Sequence, residues 1–313
     1  PRVQLKGWAT EESMRRLVKA GGQDLDKLIA AAKSRNFKPI PLSLTTSIKF
    51  DNKVSRVRTA NVAGLLPGSD PALKSEVVIY SAHHDHFGIG EPDKTGDKIY
   101  NGAEDNASGC AQLLAIARAM AALPERPRRS VLMLFVAGEE QGLLGSKYYS
   151  LHPTFAPGKI AANINYDGGN YRGRAKDITY LGHGKSSLDR IVDALAARQG
   201  RVVVPDQFPD KGYFYRSDQF NFAKIGAPAM YFGRSTDYIG KPAGWGRTQE
   251  EDWTEHVYHQ PSDEISSEWV FDGMIEDAAI GFYAGWLIAQ ADAMPTWNPG
   301  DEFEAARKKA LAQ

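Results

Sequence analysis

Val131–Val136 is an unbroken apolar run that ends at Gly138-Glu139-Glu140. A half-buried strand alternates apolar and polar residues, so a run with no polar position belongs to a strand covered on both faces. That strand needs helices above and below it, and the rest of the chain supplies them. Apolar, β-branched runs predict further strands at Val62–Leu66, Glu76–Ala82, Ile160–Tyr166, Ile178–Leu181 and Ala229–Phe232. Helical spacing predicts helices over Asn106–Leu123, Gly142–His152, Ser187–Arg198, Arg216–Lys224 and Val270–Gln290. Alternation of this kind predicts an α/β fold of three layers, α/β/α, with a central, mostly parallel (mixed) sheet. Ahead of it, residues 8–36 read as helical with a break at Gly21-Gly22, and the two prolines of Phe37–Leu42 read as a linker. We therefore expect residues 1–45 to be a terminal segment and 46–313 the main domain. Asp301–Lys309 reads as a solvated helical tail.

Composition narrows the partners. Lys+Arg and Asp+Glu both total 38, so there is no basic excess for a polyanion, and nucleic acid is an unexpected partner. No apolar run reaches membrane-spanning length. The single cysteine, Cys110, rules out an internal disulfide framework. The chain starts at Pro1 without a basic and apolar leader, which fits a removed leader or a start partway into a longer protein.

Open α/β sheets bind ligands beyond the carboxyl ends of their strands. Acids and histidines stand at those places here. Ala82-His83-His84-Asp85-His86 follows one strand, and Asn101-Gly102-Ala103-Glu104-Asp105-Asn106 opens a helix. Gly138-Glu139-Glu140 and Asp167-Gly168-Gly169 follow two more strands, and Tyr258-His259-Gln260-Pro261-Ser262-Asp263 comes near the end. Imidazole nitrogen with carboxylate oxygen is a ligand set that suits zinc. Several carboxylates converging in one crevice need a cation, and five ligands exceed one tetrahedral zinc. They fit two ions roughly 3.5–4 Å apart, an arrangement suited to hydrolysis.

These five segments, in this order, resemble the co-catalytic dizinc aminopeptidase family, whose relatives include glutamate carboxypeptidases and glutaminyl cyclases. The resemblance runs from about Asn61 to Asp263. It implies a metal-dependent exopeptidase with two zinc ions per chain, acting on peptides with a free N-terminus. It implies His83 and Asp167 as ligands of one zinc, Glu140 and His259 of the other, and Asp105 as the bridge, followed by a cis peptide at Asp105–Asn106. Glu139 resembles the general base, and Asp85 the group that braces the His83 imidazole. Tyr213 and Tyr215 are both candidates for steadying the tetrahedral intermediate. Arg216-Ser217-Asp218-Gln219-Phe220 departs from the family, which usually has histidine where Gln219 stands. Residues 1–45 resemble the segment that joins a protease-associated insert back to the catalytic domain, and relatives with that insert are mostly secreted or periplasmic.

The neighbouring histidines His84, His86 and His256 are weaker candidates, and His152 and His183 read as structural. The stretch Arg234–Tyr258 reads as a long loop rimming the substrate pocket, where Tyr238, Trp245 and Trp253 would favour apolar N-terminal side chains. Three other functions are weighed: a glutaminyl cyclase-like acyltransferase with one zinc; a carboxypeptidase, which needs arginines such as Arg216 and Arg234 for a free carboxylate; and a non-catalytic interaction module.

Overall fold

The computed structural model describes residues 7–51 and 53–312. The chain forms two compact units, Pro1–Val57 and Arg58–Gln313. In the first unit, α1 (Glu11–Ala20) starts where the Thr10 hydroxyl accepts from Ser13 N–H. α2 (Leu25–Ala32) starts where the Asp24 carboxylate accepts from Lys27 N–H. Gly21-Gly22 separates the two, as the sequence break predicts.

The second unit holds strands β1 (Val62–Leu66), β2 (Val77–His83), β3 (Gly88–Ile89), β4 (Ile99–Tyr100), β5 (Ser130–Val136), β6 (Ile160–Asn165), β7 (Asp177–Tyr180), β8 (Val202–Val204) and β9 (Ala229–Gly233). Seven of them make one sheet in the order β1-β5-β2-β6-β9-β7-β8, and β3 pairs with β4 alone. The β5-β2-β6-β9 centre is parallel, β1 runs against β5, and β7 runs against β9 but parallel to β8. This is the expected mixed, mostly parallel α/β architecture.

Period-2 alternation feeds two cores. Val78, Tyr80 and Ala82 of β2 point to one face, with Leu113 and Ile116 of α3 (Gly109–Ala121) and Ile280 and Ala284 of α8 (Asp272–Gln290). Val77 and Ile79 point to the other, with Tyr149 of α4 (Leu144–Leu151) and Phe222 of α6 (Gln219–Lys224). α5 (Asp189–Arg198) adds Val192 and Leu195 to the first face.

α8 seats closely because two of its residues have no side chain. A Cβ on Gly285 would lie 1.8 Å from the Tyr80 hydroxyl, and one on Gly281 would lie 1.8 Å from the Tyr166 hydroxyl. Tyr80 donates to the Gly281 carbonyl at 2.8 Å and Tyr166 to the Asp277 carbonyl at 3.1 Å, so neither ring can swing away freely. Gly285→Ala should therefore destabilise by about 1–3 kcal/mol through overpacking, despite the roughly 1 kcal/mol that alanine gains in a helix. Urea midpoints check this; an unchanged or raised midpoint would contradict the seating.

Under the sheet's carboxyl edge lies a ladder of fully buried polar side chains. Asn163 Nδ2 donates to Ser81 Oγ at 2.9 Å, and Ser81 Oγ donates to Asn165 Oδ1 at 2.6 Å. Asn165 Nδ2 donates to Ser217 Oγ at 2.8 Å and to Gln219 Oε1 at 3.0 Å. Gln219 then donates to the Phe214 carbonyl at 2.8 Å.

Two sequence expectations need correction. The stretch read as a long loop contains α7 (Trp245–His256). The tail read as solvated is α9 (Glu304–Leu311), and its Arg307 is buried, donating to the Ile160 carbonyl at 2.8 Å and the Pro295 carbonyl at 2.9 Å. Strand β8 was not anticipated.

Candidate metal centre

The buried strand β2 delivers His83 at its last position, where the ring is almost wholly enclosed. Its Nδ1 donates to the main-chain carbonyl of Asp85 at 3.0 Å, so Nε2 faces inward with its lone pair. The brace is thus the peptide of Asp85 and not its carboxylate, which instead accepts Gly138 N–H at 2.9 and 2.7 Å. That contact ties the β2 end to the turn carrying Glu139 and Glu140.

Asp105 sits in the wide turn Ala103–Ser108, with a cis peptide to Asn106 as the resemblance implies. The Asp263 carboxylate holds this turn, accepting Glu104 N–H at 2.9 Å and Asp105 N–H at 3.0 Å. Asn106 links it to the end of β6: its Nδ2 donates to the Tyr166 carbonyl and its Oδ1 accepts Gly168 N–H, both at 2.9 Å. His259 has a left-handed backbone, φ 60°, which costs a non-glycine residue about 1–2 kcal/mol. Tyr258 packs on its ring with centroids 3.6 Å apart.

Together these elements converge. His83 Nε2 lies 3.0 Å from Asp105 Oδ1 and 3.2 Å from Asp167 Oδ1. His259 Nε2 lies 3.3 Å from Asp105 Oδ2 and 3.1 Å from Glu140 Oε2. Each oxygen of Asp105 therefore belongs to a different group. Donor atoms of His83, Asp105 and Glu140 all fall within 4.8 Å of one another. Yet His259 Nε2 and Glu140 Oε1 are buried without a hydrogen-bond partner among the described residues. Nitrogen and carboxylate donors this close and aimed at common points fit the coordination of zinc.

The charges agree. Burial would lower the His83 imidazole, but Asp167 and Asp105 carry it well above its ordinary value. Burial likewise opposes His259, which the facing carboxylates of Asp105 and Glu140 raise to about 9. Burial would raise Asp105, but the two imidazoles hold it below the usual carboxylate range. A metal ion bound at these donors would displace imidazole protons.

Glu139 differs from its neighbour. Its carboxylate lines the cleft and makes no hydrogen bond or ion pair among the described residues. Burial first, then the charge of Asp167, pushes it up to about 10. Positive charge nearby would draw it back toward neutrality.

Other expected residues are placed as follows. Tyr213 and Tyr215 both line the cleft, but the Tyr215 hydroxyl donates to Glu302 at 2.7 Å. His84 turns to the Ala60 carbonyl at 3.0 Å, and His256 is exposed beside Asp252. Of the three rim aromatics, only Trp253 lines the cleft. Tyr238 is buried with its hydroxyl on Asn170, and Trp245 packs against it at 5.2 Å. The face of Trp253 is covered by Arg234, 3.8 Å away. Arg234 is itself bound to Glu104 and, at 2.6 Å, to Glu250, so it is not free to hold a substrate carboxylate.

The sequence reading gave His86 too little weight. It is enclosed, with Nδ1 2.6 Å from Glu140 Oε1, so it presses on the carboxylate whose other oxygen faces His259. The clamp by Asp263 and the Glu104–Arg234 pair were also missed; Glu104 and Asp263 stood in quoted motifs without a role.

The profile of peptidase family M28 matches residues 61–282, and the chain belongs to that family. It is 26% identical over 248 residues to leupeptin-inactivating enzyme 1 of Streptomyces exfoliatus, covering 76% of this chain and 50% of that protein. It is 28% identical over 222 residues to a probable leucine aminopeptidase 2 of Aspergillus fumigatus, covering 67% and 38%. Among solved structures, an aminopeptidase from Aneurinibacillus sp. strain AM-1 superposes with a TM-score of 0.54 at 21% identity, covering 75% of this chain and 49% of that one. A zinc aminopeptidase from Bacillus subtilis gives 0.55 at 21%, covering 74% and 51%. These structures share the fold. The chain spans about half, or less, of the length of each of these four proteins.

Proposed function

We propose that this chain is a zinc-dependent exopeptidase domain that removes residues from peptide N-termini, with two zinc ions per chain. One observation carries the reading: the two oxygens of Asp105 face different imidazoles, and each imidazole has its own second acid. His83 and Asp167 would hold one ion, His259 and Glu140 the other, and Asp105 both. Zinc bound there would supply Lewis acidity, lowering the pKa of water and polarising a peptide carbonyl.

The chain's own residues do the rest. Glu139 takes the proton from the attacking water and returns it to the leaving amine. His86 and the Asp85 peptide keep Glu140 and His83 aimed. Tyr213 is the better placed tyrosine to meet the developing oxyanion, because the Tyr215 hydroxyl is taken by Glu302. Arg234 is committed to two glutamates, so a carboxypeptidase would be left with Arg216 as its arginine for a free carboxylate.

Among the described residues no helix is long and apolar enough to cross a membrane. We keep the secreted or periplasmic placement, and the link of the first unit to a protease-associated insert, as proposals resting on the family resemblance.

The reading is tested with the zinc-loaded protein and one peptide in two forms. A free N-terminus should give hydrolysis at least about 100-fold faster than the N-acetylated form, and zinc titration should saturate near two equivalents. Equal rates on both forms would overturn the N-terminal assignment.

A further inference from the structure

The cleft encloses about 800 Å³, the size of a small-ligand site. Its charge is not evenly spread. Asp105, Glu139, Glu140 and Asp167 gather at the end described above. The wall built by the Phe208–Arg216 segment, α4 and α6 carries Lys147, Lys211, Arg216 and Lys224. None of these four has a carboxylate at ion-pair distance among the described residues, although the chain as a whole has as many acids as bases. Asp206, just before that segment, also lines the cleft and accepts Phe208 N–H at 2.8 Å, while Asp210 within the segment is exposed and is not a lining residue.

The cations are grouped. Lys211 sits 4.8 Å from the Phe208 ring centre, and Arg216 sits 5.5 Å from that of Tyr213. Arg216 also reaches the Lys211 carbonyl at 3.5 Å. Lys224 lies 4.6 Å from the centre of Phe220. α4 and α6 pack through Asn221, which donates to Ser146 Oγ at 2.8 Å beside Lys147. Lys147 and Lys224 are consequently near enough that, after burial, the charge of Lys147 helps lower Lys224. Aromatic faces that would have welcomed an apolar side chain are thus topped with positive charge. Like charges held together without an acid between them favour an anion.

We infer that this wall is a carboxylate subsite, selecting short peptides that carry a carboxylate close to the N-terminus being released. The inference rests on the exopeptidase reading for the orientation of the peptide, with its amino end at the acidic end of the cleft. Two sources share the chemistry: the C-terminal carboxylate of a very short peptide, and an acidic side chain within a longer one.

Equilibrium binding separates this inference from the activity itself. Calorimetry on the zinc-loaded Glu139→Gln protein would compare Leu-Gly with Leu-Gly-amide, and Leu-Glu-amide with Leu-Gln-amide. The acid of at least one pair should bind about tenfold more tightly, and which pair shows it identifies the source. The preference should shrink in 0.5 M NaCl. It should also fall toward unity in Lys147→Gln/Lys224→Gln or in Lys211→Gln/Arg216→Gln. Equal affinity for acid and amide in both pairs would overturn the subsite, as would a preference untouched by salt and by both double variants. If the unsubstituted protein cleaved none of these peptides but the binding preference held, the exopeptidase reading would fall and the subsite would stand.

Discussion

Glu139→Gln is expected to cut peptide hydrolysis by about 10²–10⁴-fold or more, the usual worth of a positioned base, with zinc content unchanged near two per chain. The substitution keeps the shape of the side chain and removes its basicity. Glu139 lines the cleft and bonds to no other side chain among the described residues, so the substitution breaks no hydrogen bond or ion pair. Glu140, one residue on, is turned to His86 and His259. Adjacent residues at a strand end thus face different tasks. Steady-state rates with metal analysis on the same sample decide the matter. Activity within tenfold of the parent would remove Glu139 as the base, and loss of zinc would move it among the ligands.

The second large effect concerns the count of ions. Asp105→Ala should weaken both zinc sites, each by more than about 100-fold, beyond what loss of an outer partner costs. Asp167→Ala and His259→Ala should each weaken one. The difference follows from geometry, because only Asp105 presents one oxygen to each imidazole. The turn itself should persist, since it hangs from backbone N–H groups on Asp263 and not from the Asp105 side chain. Titration with zinc after dialysis would read the stoichiometry. An Asp105→Ala protein that still binds one equivalent tightly would show that the carboxylate is not shared.

Much of this was legible in the sequence, for identifiable reasons. Apolar runs mark buried strands, and strand ends mark the binding edge, so the segments carrying His83, Glu139-Glu140 and Asp167 stood out by position, while Asp167 alone reads as a turn and the family pattern is what selects His83 among its neighbours. Asp105 and His259 became readable only through the order of all five segments. What stayed hidden is long-range or weakly patterned. α7 buries only Gly246 and Trp253, so it has no apolar stripe to see. Arg234 and Glu104 meet across 130 residues of chain, and nothing local to either announces the other. The direction of His86 depends on how the chain leaves β2, which spacing does not fix. The tail misled because its basic residues look solvated, while Arg307 is spent on carbonyls inside.

The ladder of Ser81, Asn163, Asn165, Ser217 and Gln219 has one further meaning. It sits two residues short of both His83 and Asp167, locking β2 against β6 at Ser81 and Asn165. A slip of one position, about 3.3 Å, would break the ladder and turn one of those two side chains over. The receptacle is therefore cast in place by neutral amides and hydroxyls before any ion arrives. Loading it should resemble filling a rigid mould, with affinity limited by shedding water from the ion and protons from the imidazoles.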